Sequence, residues 1–161
     1  MKSKYNVNST DQGKLNRLYN GIIYDSEMEL RFLKEVIEPQ IESGKIIKYE
    51  RQVVYELLPA FVYKGQKFAP IHYKSDFNIY YADGTEEVID VKGLSKSLDI
   101  IKRKLLLSRY PDINFHWVTF SKIDGGWCDY EVVKKNRAKR KKLKNLKENY
   151  NGKNKEATRF R

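Results

Sequence analysis

Along the chain, apolar positions follow two periods, and the switches between them mark the elements. Leu30, Leu33, Ile37 and Ile41 recur at a helical spacing, which predicts a helix over residues 25–43. Pro39 lies inside that stretch, so the helix is expected to kink or stop near Glu38, and Gly44 marks its end. A period of two then takes over. Lys45–Glu50 and Gln52–Leu58 read as two strands or one bent strand, with Val53, Tyr55 and Leu57 on alternate positions. Pro59–Pro70 contains two prolines and Gly65 and reads as a loop. Tyr73–Tyr81 and Glu86–Val91 read as a hairpin turning at Asp83-Gly84, a strong two-residue turn signal. Gly93 breaks the pattern. Ser97 is a candidate cap for a helix running to about Arg109, with Leu98, Ile101, Leu105 and Leu106 on its inner side. Ile113–Phe120 reads as a strand, Gly125-Gly126 as a turn, and Tyr130 to about Asn149 as a very basic helix.

The order helix, strands, helix, strand predicts an α/β fold. Its expected form is a mixed central sheet flanked by helices, the second helix crossing from the hairpin to the last strand. Residues 1–23 read as a polar arm, 24–133 as the core and 134–161 as a basic tail, helical or disordered. The 161 residues suit one domain with appendages. No apolar run approaches a membrane span, and residues 1–20 lack the apolar stretch of a signal peptide.

Charge divides the chain sharply. From Lys134 onward there are 13 Lys and Arg against 2 Asp and Glu, which accounts for the whole net charge of +11. The rest has 19 of each. A block such as Lys139, Arg140, Lys141, Lys142 and Lys144 attracts a polyanion without reading its sequence. A solubilising tail has the same composition. Cys128 is the only cysteine, which fits a reducing, cytoplasmic location and leaves no cysteine cage for a metal. Two histidines, His72 and His116, leave oxygen ligands and a hard cation as the available metal chemistry.

The chemistry is concentrated at the predicted hairpin. A turn at Asp83-Gly84 sets Asp76 opposite residues 90 and 91. Asp90 and Lys92 share a strand face, roughly 6.5 Å apart. Val88 shares that face, so two charged groups sit on a partly apolar surface and need a partner or a purpose. Two carboxylates and an ammonium at one hairpin end can hold a divalent cation and an oriented water. A turn cap at Asp76 and a solvated face at Asp90 and Lys92 are the bland alternatives. A third carboxylate comes from the first helix. Glu27, Arg31, Glu35 and Glu38 cluster on its charged side, whereas Glu29 falls at the edge of the buried stripe. Ser26-x-x-Glu29 is also a capping box, and capping and cation binding can coexist there.

Ser26-x-x-Glu29, Ser75-Asp76-Phe77 and Ile89-Asp90-Val91-Lys92-Gly93 resemble the signature of the PD-(D/E)XK nuclease superfamily. The resemblance spans about Tyr24 to Phe120, with Ser75 where the motif has proline. It implies a restriction-endonuclease-like αβββαβ core. The similarity is greatest to small phage nucleases, including the phage endonuclease I type of Holliday-junction resolvase. TnsA-type transposition endonucleases share the same short motifs. By this resemblance Asp76 and Asp90 would bind Mg²⁺ or Mn²⁺, with the Val91 carbonyl as a further ligand. Glu29 would bind metal directly, through water or at a second site. Lys92 would orient the attacking water or stabilise the phosphate, and Lys102 and Lys104 would contact phosphates. The implied activity is metal-dependent cleavage of DNA, branched or duplex, by a homodimer in the bacterial cytoplasm. A non-catalytic nucleic-acid-binding protein acting through its basic tail is the alternative from another class.

Overall fold

In a computed structural model the described residues are 10–159. Within the segment read as a polar arm, residues from Thr10 onward form structure. Thr10 caps a short helix, α1 (Asp11–Leu15), and a small hairpin of β1 (Leu18–Tyr19) and β2 (Ile22–Ile23) follows. Arg17 is buried between them, donating to the carbonyls of Gly13, Tyr24 and Asp25. The polar composition concealed this order, because the group that ties it together is an arginine satisfied by backbone. Residues 1–9 of the predicted arm lie outside the described residues.

The first long helix forms where the periodicity placed it, but in three parts. α2 (Glu27–Phe32) runs into a π-helical turn, Leu33–Ile37, and then into α3 (Glu38–Glu42). Pro39 sits in the first turn of α3, where a missing N–H costs little. The wider π turn, in which the Glu38 N–H reaches the Leu33 carbonyl, lets the helix continue through the proline. Leu30, Phe32, Leu33 and Ile37 are buried, with Phe32 against Phe77 of the sheet, while Ile41 beyond the proline is exposed.

The strands are more finely divided than the alternation suggested. β3 (Ile46–Arg51) and β4 (Val54–Leu58) belong to different sheets, and Gln52 turns the chain between them at φ 56°. The segment Pro59–Pro70, expected as a loop, contains a hairpin of β5 (Phe61–Tyr63) and β6 (Gln66–Phe68). Its turn residues Lys64 and Gly65 both have positive φ, as a tight two-residue hairpin requires. β7 (Ile71–Lys74) returns along β4. The chain then breaks at Ser75-Asp76 before β8 (Phe77–Tyr81), so Tyr73–Tyr81 is not one strand. β8 and β9 (Glu86–Val91) form the expected hairpin, with a three-residue loop in place of two: the Tyr81 N–H bonds to the Thr85 carbonyl across Ala82-Asp83-Gly84.

α4 (Ser97–Arg109) leads to β10 (Phe115–Ser121), where alternate residues are buried. Lys96, not Ser97, is the cap, its N–H taken by the Asp99 carboxylate at 2.9 Å. Of the expected inner side of α4, only Leu106 is buried. Leu98, Ile101 and Leu105 are exposed, and the helix faces the sheet through Arg103, which lies over the Trp117 ring, and the fully buried Leu106. The larger sheet has the order β11–β10–β9–β8–β3, where β11 is Gly126–Asp129. Its β3–β8, β8–β9 and β10–β11 pairs are antiparallel. α4 connects β9 to β10, the kind of crossover that parallel neighbours need. A mixed five-stranded sheet with helices is thus the coarse architecture.

The residues up to Trp117 form one compact unit, and those from Val118 a second. The second holds the end of β10, a 3₁₀ turn (Lys122–Asp124), β11 and α5 (Tyr130–Arg159). The charge boundary at residue 134 is therefore not a structural boundary: Tyr130 and Val133 are buried, and α5 runs on from them. Arg140 is not a free tail cation. Its two terminal nitrogens grip both oxygens of Asp124 at 2.8 and 2.9 Å, and Asn136 and Ser121 donate to the same carboxylate. These donors, Arg140 first, hold the Asp124 carboxyl well below the usual carboxylate range. The clamp therefore contributes fully above the unfolded carboxyl value of about 4. It is lost only when the pH falls through the depressed folded value. Asp124→Ala is expected to accelerate amide exchange across residues 131–140 at neutral pH, measured by mass spectrometry. Unchanged exchange would show that the clamp does not hold the helix.

Candidate functional site

The site is built from the ends of three elements. The β8–β9 register pairs Phe77 with Ile89, which sets Asp76 across from Asp90. The backbone fixes this: the Asp76 N–H bonds to the Ile89 carbonyl at 3.1 Å, and the Val91 N–H donates to Asp76 Oδ2 at 2.7 Å. Asp76 and Asp90 are close enough to hydrogen-bond, and the Asp90 charge raises the cost of ionising Asp76. Glu29 comes from the first turn of α2. Ser26 caps that helix, accepting the Glu29 N–H and donating its hydroxyl to Glu29 Oε1 at 2.7 Å. This is half of the expected capping box, because Glu29 takes the Ser26 hydroxyl and not its backbone N–H. Met28 approaches Gly93, where an added Cβ would meet its methyl at 3.8 Å, so α2 begins beside the end of β9.

Asp90 is the most constrained of the three. It is 3% exposed, and one oxygen, Oδ2, takes every strong donor. The Tyr73 hydroxyl donates to it, Trp117 Nε1 donates to it at 3.1 Å, and Lys92 Nζ lies 2.9 Å away. Trp117 Nε1 also reaches the Tyr73 hydroxyl at 3.1 Å. None of these groups engages Oδ1. Lys92 thus has an acidic partner after all, because the twist and length of its chain close the strand-face gap. Burial works against the Lys92 ammonium, but Asp90 more than offsets it and the pKa rises. Burial drives the Tyr73 phenol strongly upward, and the Asp90 charge adds to it, so Tyr73 remains a donor.

The carboxylates carry the opposite stress. Burial pushes Glu29 up to about 7, with Asp25 and Asp90 adding to the rise and Ser26 and Arg51 opposing it. Asp76 is held well above its ordinary value by burial, then by the charges of Asp90 and Glu29. Two raised acids, Glu29 and Asp76, beside the buried Asp90 are poised to accept protons or a cation. Among the described residues no three acidic, histidine or cysteine side chains form a ready-made cage. The donor set nonetheless suits Mg²⁺ or Mn²⁺, which take hard oxygens and commonly use one or two carboxylates with water completing the shell. Asp76 and Asp90, with Oδ1 unengaged by the donor cluster, would supply those two.

Glu29, Asp76, Asp90, Val91 and Lys92 are therefore brought together. Lys102 is half-buried and Lys104 exposed on α4, and Lys139, Lys141, Lys142 and Lys144 are exposed on α5. Cys128 donates its thiol to the Asp124 carbonyl, a structural role. Tyr73, Trp117 and Arg51 were not anticipated. Arg51 stacks on the Tyr24 ring at 3.8 Å, its Nε has no acceptor, and its charge reaches Glu29. Inward alternation along β10 could have pointed to Trp117, but not to its acceptor.

Residues 2–124 match the DUF1064 family, described as a protein family of unknown function. The chain belongs to this family. The matched segment contains all of the residues that meet at the carboxylates and stops before β11 and α5. No curated protein matches the chain. Within this DUF1064 protein, the raised carboxyls have a stability consequence. An acid with a raised folded pKa favours folding below its unfolded value of about 4.3, and that contribution fades as the pH rises through the folded value. For Glu29 the window runs up to about 7. Asp76→Asn removes one of the crowded charges and keeps an acceptor for the Val91 N–H. It is expected to raise the melting temperature of the metal-free protein at about pH 8. A lowered melting temperature would show that the charge at Asp76 is not a source of strain.

Proposed function

We propose that this protein is a metal-dependent nuclease that hydrolyses DNA phosphodiester bonds, with Asp76, Asp90 and Glu29 as its acidic centre and Lys92 beside it. The observation that carries the reading is the convergence of Asp76 and Asp90 at one hairpin end, with Tyr73, Trp117 and Lys92 all meeting Asp90 at Oδ2. Burial and the Asp90 charge raise both Glu29 and Asp76, an environment that a bound cation would relieve. A bound Mg²⁺ or Mn²⁺ would lower the pKa of a coordinated water and polarise a phosphoryl oxygen. The chain supplies the rest. Tyr73 and Trp117 hold the Asp90 carboxylate in one orientation. Lys92, kept protonated by Asp90, offers a charge to the phosphate as negative charge develops on it. The Val91 carbonyl is the further oxygen at the same strand end.

The likeness of Ser26-x-x-Glu29, Ser75-Asp76 and Asp90-Val91-Lys92 to the PD-(D/E)XK signature supports the same reading, and points to branched DNA, including Holliday junctions, as substrate. Cutting two strands asks for two centres, so a homodimer belongs to this proposal. A transposition endonuclease would use the same centre. Lys102 and Lys104 on α4 and the exposed lysines of α5 are the phosphate contacts. An idle core with a working basic helix is the competing reading, and the ordered donors on Asp90 disfavour it.

Purified protein is expected to cut linear, flapped or four-way DNA only with Mg²⁺ or Mn²⁺. Asp76→Asn should lower the rate by more than about a hundredfold, exceeding the loss typical of a group that only supports a ligand. Lys92→Ala should depress the single-turnover rate far more than DNA affinity. Cleavage by Asp76→Asn at the wild-type rate would remove the acidic centre from the mechanism. Equal losses in rate and affinity for Lys92→Ala would make it a simple phosphate contact.

Changing Lys139, Lys141, Lys142 and Lys144 together to Gln should flatten the salt dependence of DNA binding. Each phosphate that a lysine no longer neutralises takes about 0.9 off the slope of log affinity on log salt, so the full effect is about three to four. An unchanged slope would exclude these lysines from the interface.

A further inference from the structure

The ribbon formed by β4, β5, β6 and β7 shifts register once, between Glu56 and Leu58, and keeps one register from Leu58 outward. β4 and β7 end with Leu58 opposite Ile71, and β5 and β6 resume with Phe61 opposite Phe68. Carrying that register through the gap sets Pro59 across from Pro70 and Ala60 across from Ala69. Proline has no N–H to give to a ladder, so the facing prolines interrupt the bonds without ending the ribbon. Every residue from Leu58 to Pro70 is exposed. An arm of this kind has no core of its own, yet it carries large apolar side chains. Phe61 and Phe68 stack face to face at 4.8 Å and 6°, and Tyr63 lies on the same face, 59% exposed.

The charge on this arm has one sign. Between Glu56 and Asp76 there is no acidic residue, while Lys64, Lys67 and Lys74 all fall in the interval. Lys64 lies beside the Tyr63 ring at the tip. The base of the ribbon holds Tyr73, which donates to Asp90, and leads directly into Ser75-Asp76. At about 3.3 Å per residue, the Phe61–Phe68 pair stands about 17 Å along the ribbon from Tyr73, and the tip about 26 Å.

We infer that the arm Pro59–Pro70 binds unpaired bases of a DNA strand, stacking them on Phe61, Phe68 and Tyr63 while Lys64 and Lys67 take the backbone. This deepens the nuclease reading and rests on it for the identity of the strand being cut. Exposed aromatic rings beside cations, with no acid among them, suit a single strand, because every base offers a π face and every phosphate a charge. A second copy of the chain would meet the same lysines and be repelled there. The inference assigns a substrate class: DNA with an unpaired segment near the cleavage point.

The test uses the full chain without divalent cation, so that binding is read apart from cleavage. The probes are a single-stranded oligodeoxythymidine and a blunt duplex of equal length. Changing Phe61, Tyr63 and Phe68 together to Ser should weaken single-strand binding about tenfold or more, and leave duplex binding within about twofold. Tyr63→Ser alone, at the fully exposed tip, gives the same direction in a protein whose ribbon base is untouched. Unchanged single-strand affinity in Tyr63→Ser and in the triple variant, or equal loss on both probes, would overturn the inference. A change of oligomeric state in sedimentation would also overturn it, by making the arm a self-association surface. Loss of single-strand binding in a protein that never cuts DNA with Mg²⁺ would sink the nuclease reading and leave the arm's ligand standing.

Discussion

The structure turns on the placing of like charges together. Asp76 and Asp90 face each other across an antiparallel register that the β8–β9 backbone does not allow to slip, and Glu29 is brought beside them by a capped helix start. Carboxylates crowded in this way cost stability at neutral pH unless protons or a cation neutralise them. The surrounding chain accepts that cost asymmetrically. It surrounds one oxygen of Asp90 with a phenol, an indole and an ammonium, and leaves the other oxygen and Asp76 without such support.

This asymmetry explains what could be read from sequence and what could not. The hairpin pairing and the convergence of Asp76 with Asp90 and Val91 were legible, because the turn residues and the period of two fix register over a short span. Glu29 was legible because Ser26-x-x-Glu29 marks a helix start. Tyr73 and Trp117 were not, since their contacts to Asp90 join residues 17 and 27 positions apart, and alternation gives a face but not a partner. The direction of α4 failed for a related reason. Its apolar stripe, Leu98, Ile101 and Leu105, has the right spacing for burial. Arg103 over Trp117 and the single buried Leu106 determine which side turns inward.

Proline misled the reading twice, in opposite ways. Pro39 suggested a kink or a stop, yet a π turn absorbed it and the helix continued. Pro59 and Pro70 suggested a loop, yet they face each other in a ribbon that resumes beyond them. At Pro39 the missing N–H falls in a helix's first turn, where it costs little, and at Pro59 and Pro70 it interrupts a ladder that resumes beyond them. Local propensity registers the absent donor, whereas the outcome depends on whether that position would have used one.

The ribbon also links two properties that would otherwise be separate. Its base supplies Tyr73 to Asp90, and its far end carries exposed rings and lysines. On the inference that the arm binds unpaired bases, a strand held by the rings would lie about 17 Å along the ribbon from Tyr73. The basic helix α5 differs in kind. Its lysines stand on one long element outside the matched family segment, and they supply charge without geometry. On the proposed nuclease reading, attraction and positioning would be carried by different parts of the chain. A family relative without α5 would keep the carboxylate geometry and the ribbon register, and lose chiefly the salt-sensitive part of its affinity.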